Sequence, residues 1–227
     1  MTIQAAIQQI EQQIAGRAAL IAVTKTKPVN ALQEAYDAGC RRFGENRVQE
    51  MAEKQPQLPA DVRWHQIGHL QTNKVKYIAS FVSLIESVDS LKLLEEIDRQ
   101  ARKHNRVIDC LLQVYIADEE TKFGLLPQEA TELLNSSALN ELLNIRIVGL
   151  MGIATNTDNK AQIRQEFSNL KQLFEASKLI ERHNVGLCEL SMGMSGDYLI
   201  ALEEGSTMVR VGSAIFGSRN VQAVTVA

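Results

Sequence analysis

"LIAVTKTKP", residues 20–28, reads as a buried strand that ends on an amine: four apolar residues, then Thr24, Lys25, Thr26 and Lys27 before Pro28 stops any ladder. Outward from it the pattern recurs. Seven further short runs, at 42–46, 63–68, 84–89, 109–116, 145–152, 189–192 and 208–216, are separated by longer amphipathic stretches. That alternation is the signature of βα units. Eight such units in a chain of this length predict an α/β fold, a single-domain (β/α)8 barrel of the TIM type, near the lower size limit of that architecture. An open doubly wound sheet is disfavoured because no GxGxxG follows the first run.

The helices between the runs have legible starts and stops. Thr2 is placed to cap an N-terminal helix whose apolar residues Ile3, Ile7, Ile10 and Ile14 recur at helical spacing. Ser90 precedes the stripe Leu91, Leu94, Ile97 and Ala101, and a second stripe runs through Ile163, Phe167, Leu170 and Phe174. Gly39 and Gly205 are placed as C-terminal caps. One barrel domain with an N-terminal helix is therefore expected over 1–227; ten residues follow Gly217, and no Pro-rich, Ser-rich or single-charge linker interrupts the chain.

Composition narrows the function classes. The 227 residues are 45% hydrophobic, enough for one core, and the net charge of −3 argues against a nucleic-acid partner. Cys40, Cys110 and Cys188 are odd in number and lack CxxC spacing, so they read as reduced, buried thiols. The first helix is broken by Gln and Glu and resembles neither a secretory signal nor a membrane span, which makes the cytoplasm the expected location.

In a βα barrel the chemistry gathers at the C-terminal strand ends, and here those ends are polar. Lys25 closes the first run, Glu45 and Asn46 the second; His65 lies in the third and Arg210 among valines in the eighth. Burial would make Lys25 nucleophilic, whereas a solvated strand-end lysine is the plain alternative. Lys27, beside Pro28, reads as a loop lysine. Arg210 cannot discharge and must find an acceptor, either a neighbouring carboxylate or a ligand. "SMGMSGD" (191–197) and "VGSAIFG" (211–217) can present backbone N–H groups where this fold commonly binds phosphate, with a helix starting near Asp197. His65 and His69 lack HExxH spacing, so no metal site is expected. Trp64 should pack outward under a helix, and Met151, Met192 and Met194 read as barrel packing.

Five ordered motifs then carry a resemblance along nearly the whole chain: "AVTKTKP" (22–28), "FGENRVQE" (43–50), "WHQIGHLQTNK" (64–74), "GLMGIA" (149–154) and "LSMGMSGDYLIALEEGSTMVRVGSAIFG" (190–217). The chain resembles the pyridoxal phosphate homeostasis proteins, the YggS/PROSC group. The resemblance implies a barrel similar to the N-terminal domain of alanine racemase, with pyridoxal 5′-phosphate held as an aldimine on Lys25. It further implies that Arg210 meets the pyridine nitrogen, that Ser191, Gly212 and Ser213 hold the phosphate, and that Asn46, His65 and Met151 line the ring pocket. Small departures, "VTK" where "VSK" is frequent and "GSAIFG" where "GTAIFG" is frequent, remove no chemical group. The 118–129 loop, containing "TKFGLLPQE" (121–129), departs further, and partner-specific behaviour transfers least there.

The same resemblance implies storage, delivery or buffering of the cofactor by a monomer, with apo-enzymes as recipients and an indirect effect on amino and keto acid balance, rather than catalysis. A cation at the pyridine nitrogen weakens the ring as an electron sink. Fold relatives that racemise amino acids take an opposing tyrosine from a second domain of a partner subunit. Tyr36, Tyr77, Tyr115 and Tyr198 are expected in helices or at the far side of the runs. The competing readings are a racemase of low activity, with a pocket histidine or water as second base, and a cofactor-free binding scaffold in which Lys25 and Arg210 are structural.

Overall fold

The computed structural model of the protein describes residues 1–118, 123–180 and 182–217. Residues 119–122 of the divergent 118–129 loop, and the ten after Gly217, therefore lie outside the described residues.

Eight parallel strands close a barrel in sequence order: β1 (Ala19–Val23), β2 (Arg42–Glu45), β3 (Arg63–Gln66), β4 (Leu84–Val88), β5 (Ile108–Tyr115), β6 (Ile145–Ile153), β7 (Val185–Ser191) and β8 (Met208–Val211). The closing seam pairs Ile21 with Arg210 and Ala22 with Val211. The register shifts in the β4–β5, β5–β6 and β6–β7 pairs. At the last of these, Gly149 is forced by close approach: a Cβ there would stand 1.7 Å from the Glu189 carbonyl oxygen.

The helices are α1 (Ile3–Ile14), α2 (Val29–Asp37), α3 (Val48–Lys54), α4 (Leu91–Lys103), α5 (Pro127–Asn135), α6 (Lys160–Ser177), α7 (Tyr198–Glu203) and α8 (Ser213–Phe216). Their ends follow the local chemistry. The Thr2 and Ser90 hydroxyls accept from the amides of Ala5 and Leu93, and Gly39 and Gly205 take φ of +104° and +86° just past α2 and α7. The predicted α6 stripe is buried, as are Ile7, Ile10 and Ile14 of α1, with Ile3 partly so, and Leu94, Ile97 and Ala101 of α4. Among the described residues, no helix is long and apolar enough to cross a membrane.

Two expected boundaries move. The seventh run begins four residues early, at Val185, because Gly186 and Cys188 lie on a strand face that no helix covers, which hides its apolar character in the sequence. For the same reason Cys188 is exposed, correcting the expectation of three buried thiols; Cys40 and Cys110 are buried. The eighth run breaks at Gly212, and 213–216 is helical rather than extended.

Period-two alternation sorts the core into two parts. Trp64, in ring contact with Phe43 at 5.9 Å, belongs to the large layer between barrel and helices. Ile21, Leu84, Leu111, Met151 and Met208 form a smaller cluster within the barrel. Continuing those same alternating positions toward the C-terminal strand ends carries the chain from Ile21 through Val23 to Lys25, and from Met208 through Arg210 to Gly212. The site is thus built on the inner face of the sheet.

Candidate functional site

A cavity of about 510 Å3 opens at the C-terminal end of the barrel, within the usual range for small-molecule sites. Its wall is supplied by strand ends and the loops after them. The β1 exit contributes Val23, Lys25 and Lys27, the β2 exit Asn46, the β3 exit Ile67, Gly68 and His69, and β5 and β6 contribute Gln113 and Ile153. The loops after β7 and β8 add Met194, Ser195, Gly196, Gly212 and Ser213, with Arg210 reaching in from β8.

Lys25 is half-buried here, two residues beyond the last strand residue and on the inner face. Lys27 is more than a loop lysine. It lines the same cavity, and its Nζ donates to the carbonyls of Phe216 at 2.9 Å and Gly217 at 3.3 Å, tying the β1 exit to the end of α8.

The wall after β7 and β8 is organised around one hydroxyl. Ser195 Oγ accepts from the Gly212 amide at 3.1 Å and the Ala214 amide at 3.3 Å, so the first turn of α8 directs N–H groups at a polar oxygen beside the cavity. The 194–197 turn that carries Ser195 closes on itself: the Met194 amide donates to Asp197 Oδ1 at 2.5 Å and the Asp197 amide to the Met194 carbonyl at 3.2 Å. Burial pushes the Asp197 carboxyl above its ordinary value, against the pull of the Met194 amide and the Arg210 charge. The Arg210 amide bonds the Gly193 carbonyl at 2.9 Å, which fixes this loop to β8.

Beneath the cavity lies a polar layer. Arg210 is 3% exposed and donates through Nη1 to Ser191 Oγ at 2.6 Å and through Nη2 to the Gly152 carbonyl at 2.9 Å. Glu86 Oε2 stands 3.9 Å from Nη1 and accepts from Ser191 Oγ at 2.6 Å, while Glu86 Oε1 meets His65 Nδ1 at 2.7 Å. Desolvation, the largest influence on Glu86, would raise its carboxyl. The bond and charge of His65, the Arg210 charge and the Ser191 bond together hold it below the ordinary value. The acceptor that the sequence demanded for Arg210 is thus a hydroxyl and a backbone carbonyl, with a carboxylate close behind.

Of the residues expected at the site, Lys25, Asn46, Arg210, Gly212 and Ser213 meet at the cavity. His65, Met151 and Ser191 do not border it. His65 and Ser191 are committed to Glu86, and Met151 is fully buried in the interior apolar cluster. Ser191 is the last residue of β7, paired with Met151 across the ladder, so its side chain points into the barrel and not toward the loop. From the 191–197 cluster it is Ser195, just before Gly196, that lines the cavity. His69 also lines the cavity, with Nδ1 3.1 Å from Asp89 and its ring against Phe123. Met194 is an exposed rim residue instead of barrel packing.

Residues 2–220 match the family described as alanine racemase, N-terminal domain. The chain is 43% identical to a pyridoxal phosphate homeostasis protein of Aquifex aeolicus over 203 residues, which is 89% of this chain and 87% of that one. It is 39% identical to a protein of the same name from Schizosaccharomyces pombe over 216 residues, 93% of this chain and 89% of the relative. Among solved structures, PipY of Synechococcus elongatus with pyridoxal phosphate bound superposes with a TM-score of 0.85 at 36% identity, covering 95% of this chain and all of PipY. Alanine racemase of Bartonella henselae shares the fold at 19% identity and a TM-score of 0.71; the match covers 95% of this chain and 58% of the racemase.

Proposed function

Because the chain belongs to the pyridoxal phosphate homeostasis protein family, within the wider alanine racemase N-terminal-domain family, we propose that it binds pyridoxal 5′-phosphate at the mouth of its barrel and stores, delivers or buffers it in the cytoplasm as a monomer. Apo-enzymes are the proposed recipients, and amino and keto acid balance is affected through them.

One observation carries the reading: an amine, a fixed guanidinium and a set of amides around Ser195 converge on a single cavity. The donor set fits the cofactor's three functional parts. Lys25 Nζ would hold its aldehyde covalently. Gly212, Ser213 and Ser195 would hold the phosphate, at a helix end that favours anions. Gly212 also fits tightly, since a Cβ there would lie 3.2 Å from Val23 Cβ. Arg210 would face the pyridine nitrogen and Asn46 would flank the ring, while His65 and Ser191 would act from below by fixing Glu86 and Arg210, and Met151 by packing.

When bound, the cofactor supplies an electrophilic carbonyl carbon and an electron-withdrawing ring. Arg210 stays charged at all relevant pH values and so disfavours a proton on a nitrogen beside it, which weakens that ring as an electron sink. No tyrosine is among the described residues that line the cavity. These features favour holding over turnover. A second reading, a racemase of low activity, draws on His69, a cavity-lining imidazole oriented by Asp89 that could move a proton.

The test has two arms. Purified protein should show an absorbance band that borohydride abolishes while fixing the cofactor to the peptide carrying Lys25; modification of Lys27 or Lys74 instead would refute the assignment. The loaded protein should yield its cofactor to an excess of apo-enzyme, yet exchange no α-proton of L-alanine in deuterated water above a Lys25→Ala control. Lys25-dependent exchange would favour the racemase.

A further inference from the structure

Thr26, immediately after Lys25, has a φ of +65°. A β-branched residue in the left-handed region is a true outlier, and it persists only where its surroundings hold it. Those surroundings centre on Lys54, the last residue of α3, which is 6% exposed. Its Nζ donates to the Thr24 carbonyl at 2.9 Å, to Glu45 Oε1 at 2.7 Å and to Glu50 Oε1 at 2.6 Å, which uses all three ammonium donors. Glu50 Oε1 in turn accepts the Thr26 amide at 2.6 Å, and Glu45 Oε1 accepts the Thr24 hydroxyl at 2.6 Å. One buried cation thus grips the backbone on both sides of Lys25: the residue before it directly, the residue after it through Glu50.

The sheet cannot supply this restraint. β1 ends at Val23, and the Thr24 amide, bonded to the Gly44 carbonyl at 3.0 Å, makes the last ladder contact before the chain turns, with the Lys27 amide reaching back to the Thr24 carbonyl. Nor does the fold itself require a buried ion pair, since apolar replacements of similar volume are often neutral or stabilising.

We propose that Lys54, acting with Glu50 and Glu45, is the positioning group for Lys25, locking the 24–26 backbone so that the Lys25 amine meets the carbonyl of its ligand. The proposal rests on the cofactor site described above, and goes beyond it by assigning a role to residues that do not line the cavity.

The test is a double-mutant cycle read as the affinity for pyridoxal 5′-phosphate, with the rate of borohydride-trappable linkage as a second readout. Lys54→Met should weaken binding by about tenfold in the Lys25 background, and leave the weaker, non-covalent binding of Lys25→Ala unchanged within about twofold. Glu50→Ala, at a partly exposed position, gives the same cycle without altering the core; adding Thr26→Gly should recover part of the linkage rate, because glycine adopts the required φ without strain. Equal losses in the Lys25 and Lys25→Ala backgrounds, or no loss in either, would overturn the proposal. Absence of any difference between wild type and Lys25→Ala would instead sink the cofactor assignment itself.

Discussion

Arg210 and Ser191 meet inside the barrel, Nη1 to Oγ at 2.6 Å, and the serine hydroxyl donates onward to Glu86 at the same distance. The hydroxyl therefore bridges a buried cation and a buried carboxylate that would otherwise stand 3.9 Å apart with nothing between them. Ser191 holds the residue that faces the cavity, whereas Ser195 faces it directly.

These two serines should separate cleanly on mutation. Ser191→Ala leaves a buried guanidinium donor and a carboxylate oxygen each short of a partner, a cost of about 1–3 kcal/mol in stability, measured by urea denaturation of cofactor-free protein. Ser195→Ala removes an oxygen from the wall, and should weaken phosphate-dependent affinity with little change in the urea midpoint. The opposite pattern would return Ser191 to the phosphate site.

Glu86 sets a pH dependence whose sign follows from its carboxyl lying below the ordinary 4.5. The native state binds fewer protons there than the unfolded chain, so Glu86 contributes stability in full above about pH 4.5, and that contribution is lost as pH falls through the native value. Glu86→Gln should cost about 3 kcal/mol at pH 7 by leaving Arg210 without its carboxylate. Urea midpoints of mutant and wild type should converge on acidification below pH 4.5; a constant gap would contradict the assignment.

Thiol labelling should follow exposure. Burial pushes the Cys40 thiol up to about 12 and Cys110 further in the same direction, while Cys188 stands exposed on β7, its thiol raised first by its remaining burial and then by the Glu189 and Asp109 charges. Native protein should take up one equivalent of a maleimide at Cys188, with the other two thiols reacting on unfolding. Rapid labelling of Cys40 in native protein would show that α1 and α2 open readily.

Gly68→Ala tests the shape of the cavity wall. A Cβ at Gly68 would come within 2.7 Å of the Asn46 carbonyl oxygen and 2.8 Å of its Cα, both backbone atoms. The β2 exit must shift to admit it, displacing Asn46, so cofactor affinity should fall by about tenfold, an overpacking cost of about 1–3 kcal/mol expressed locally. Unchanged affinity would mean that Asn46 contributes nothing to binding.

How far the sequence reached is visible in particular residues. The eight runs, the Thr2 and Ser90 caps and the left-handed glycines were legible because each depends on a few neighbours in the chain. So, at the coarse level, was the lining of the candidate site, since Lys25, Asn46, Gly212 and Ser213 each follow a strand and Arg210 lies one residue from the end of β8. β7 and the 213–216 helix were misjudged for the same local reason: an uncovered strand face lacks apolar residues, and a glycine break inside an apolar run leaves no periodicity to read.

What the sequence by itself determined is the order of βα units, and hence which residues stand at the C-terminal end of the barrel. It could not decide among neighbours such as Ser191 and Ser195, nor reveal that Lys54 reaches back across 30 positions to Thr24. The reason is physical: which face a strand-end side chain takes, and which buried charges satisfy one another, depend on the stagger with which eight strands close. Only the assembled barrel brings His65, Glu86, Ser191 and Arg210 into one layer.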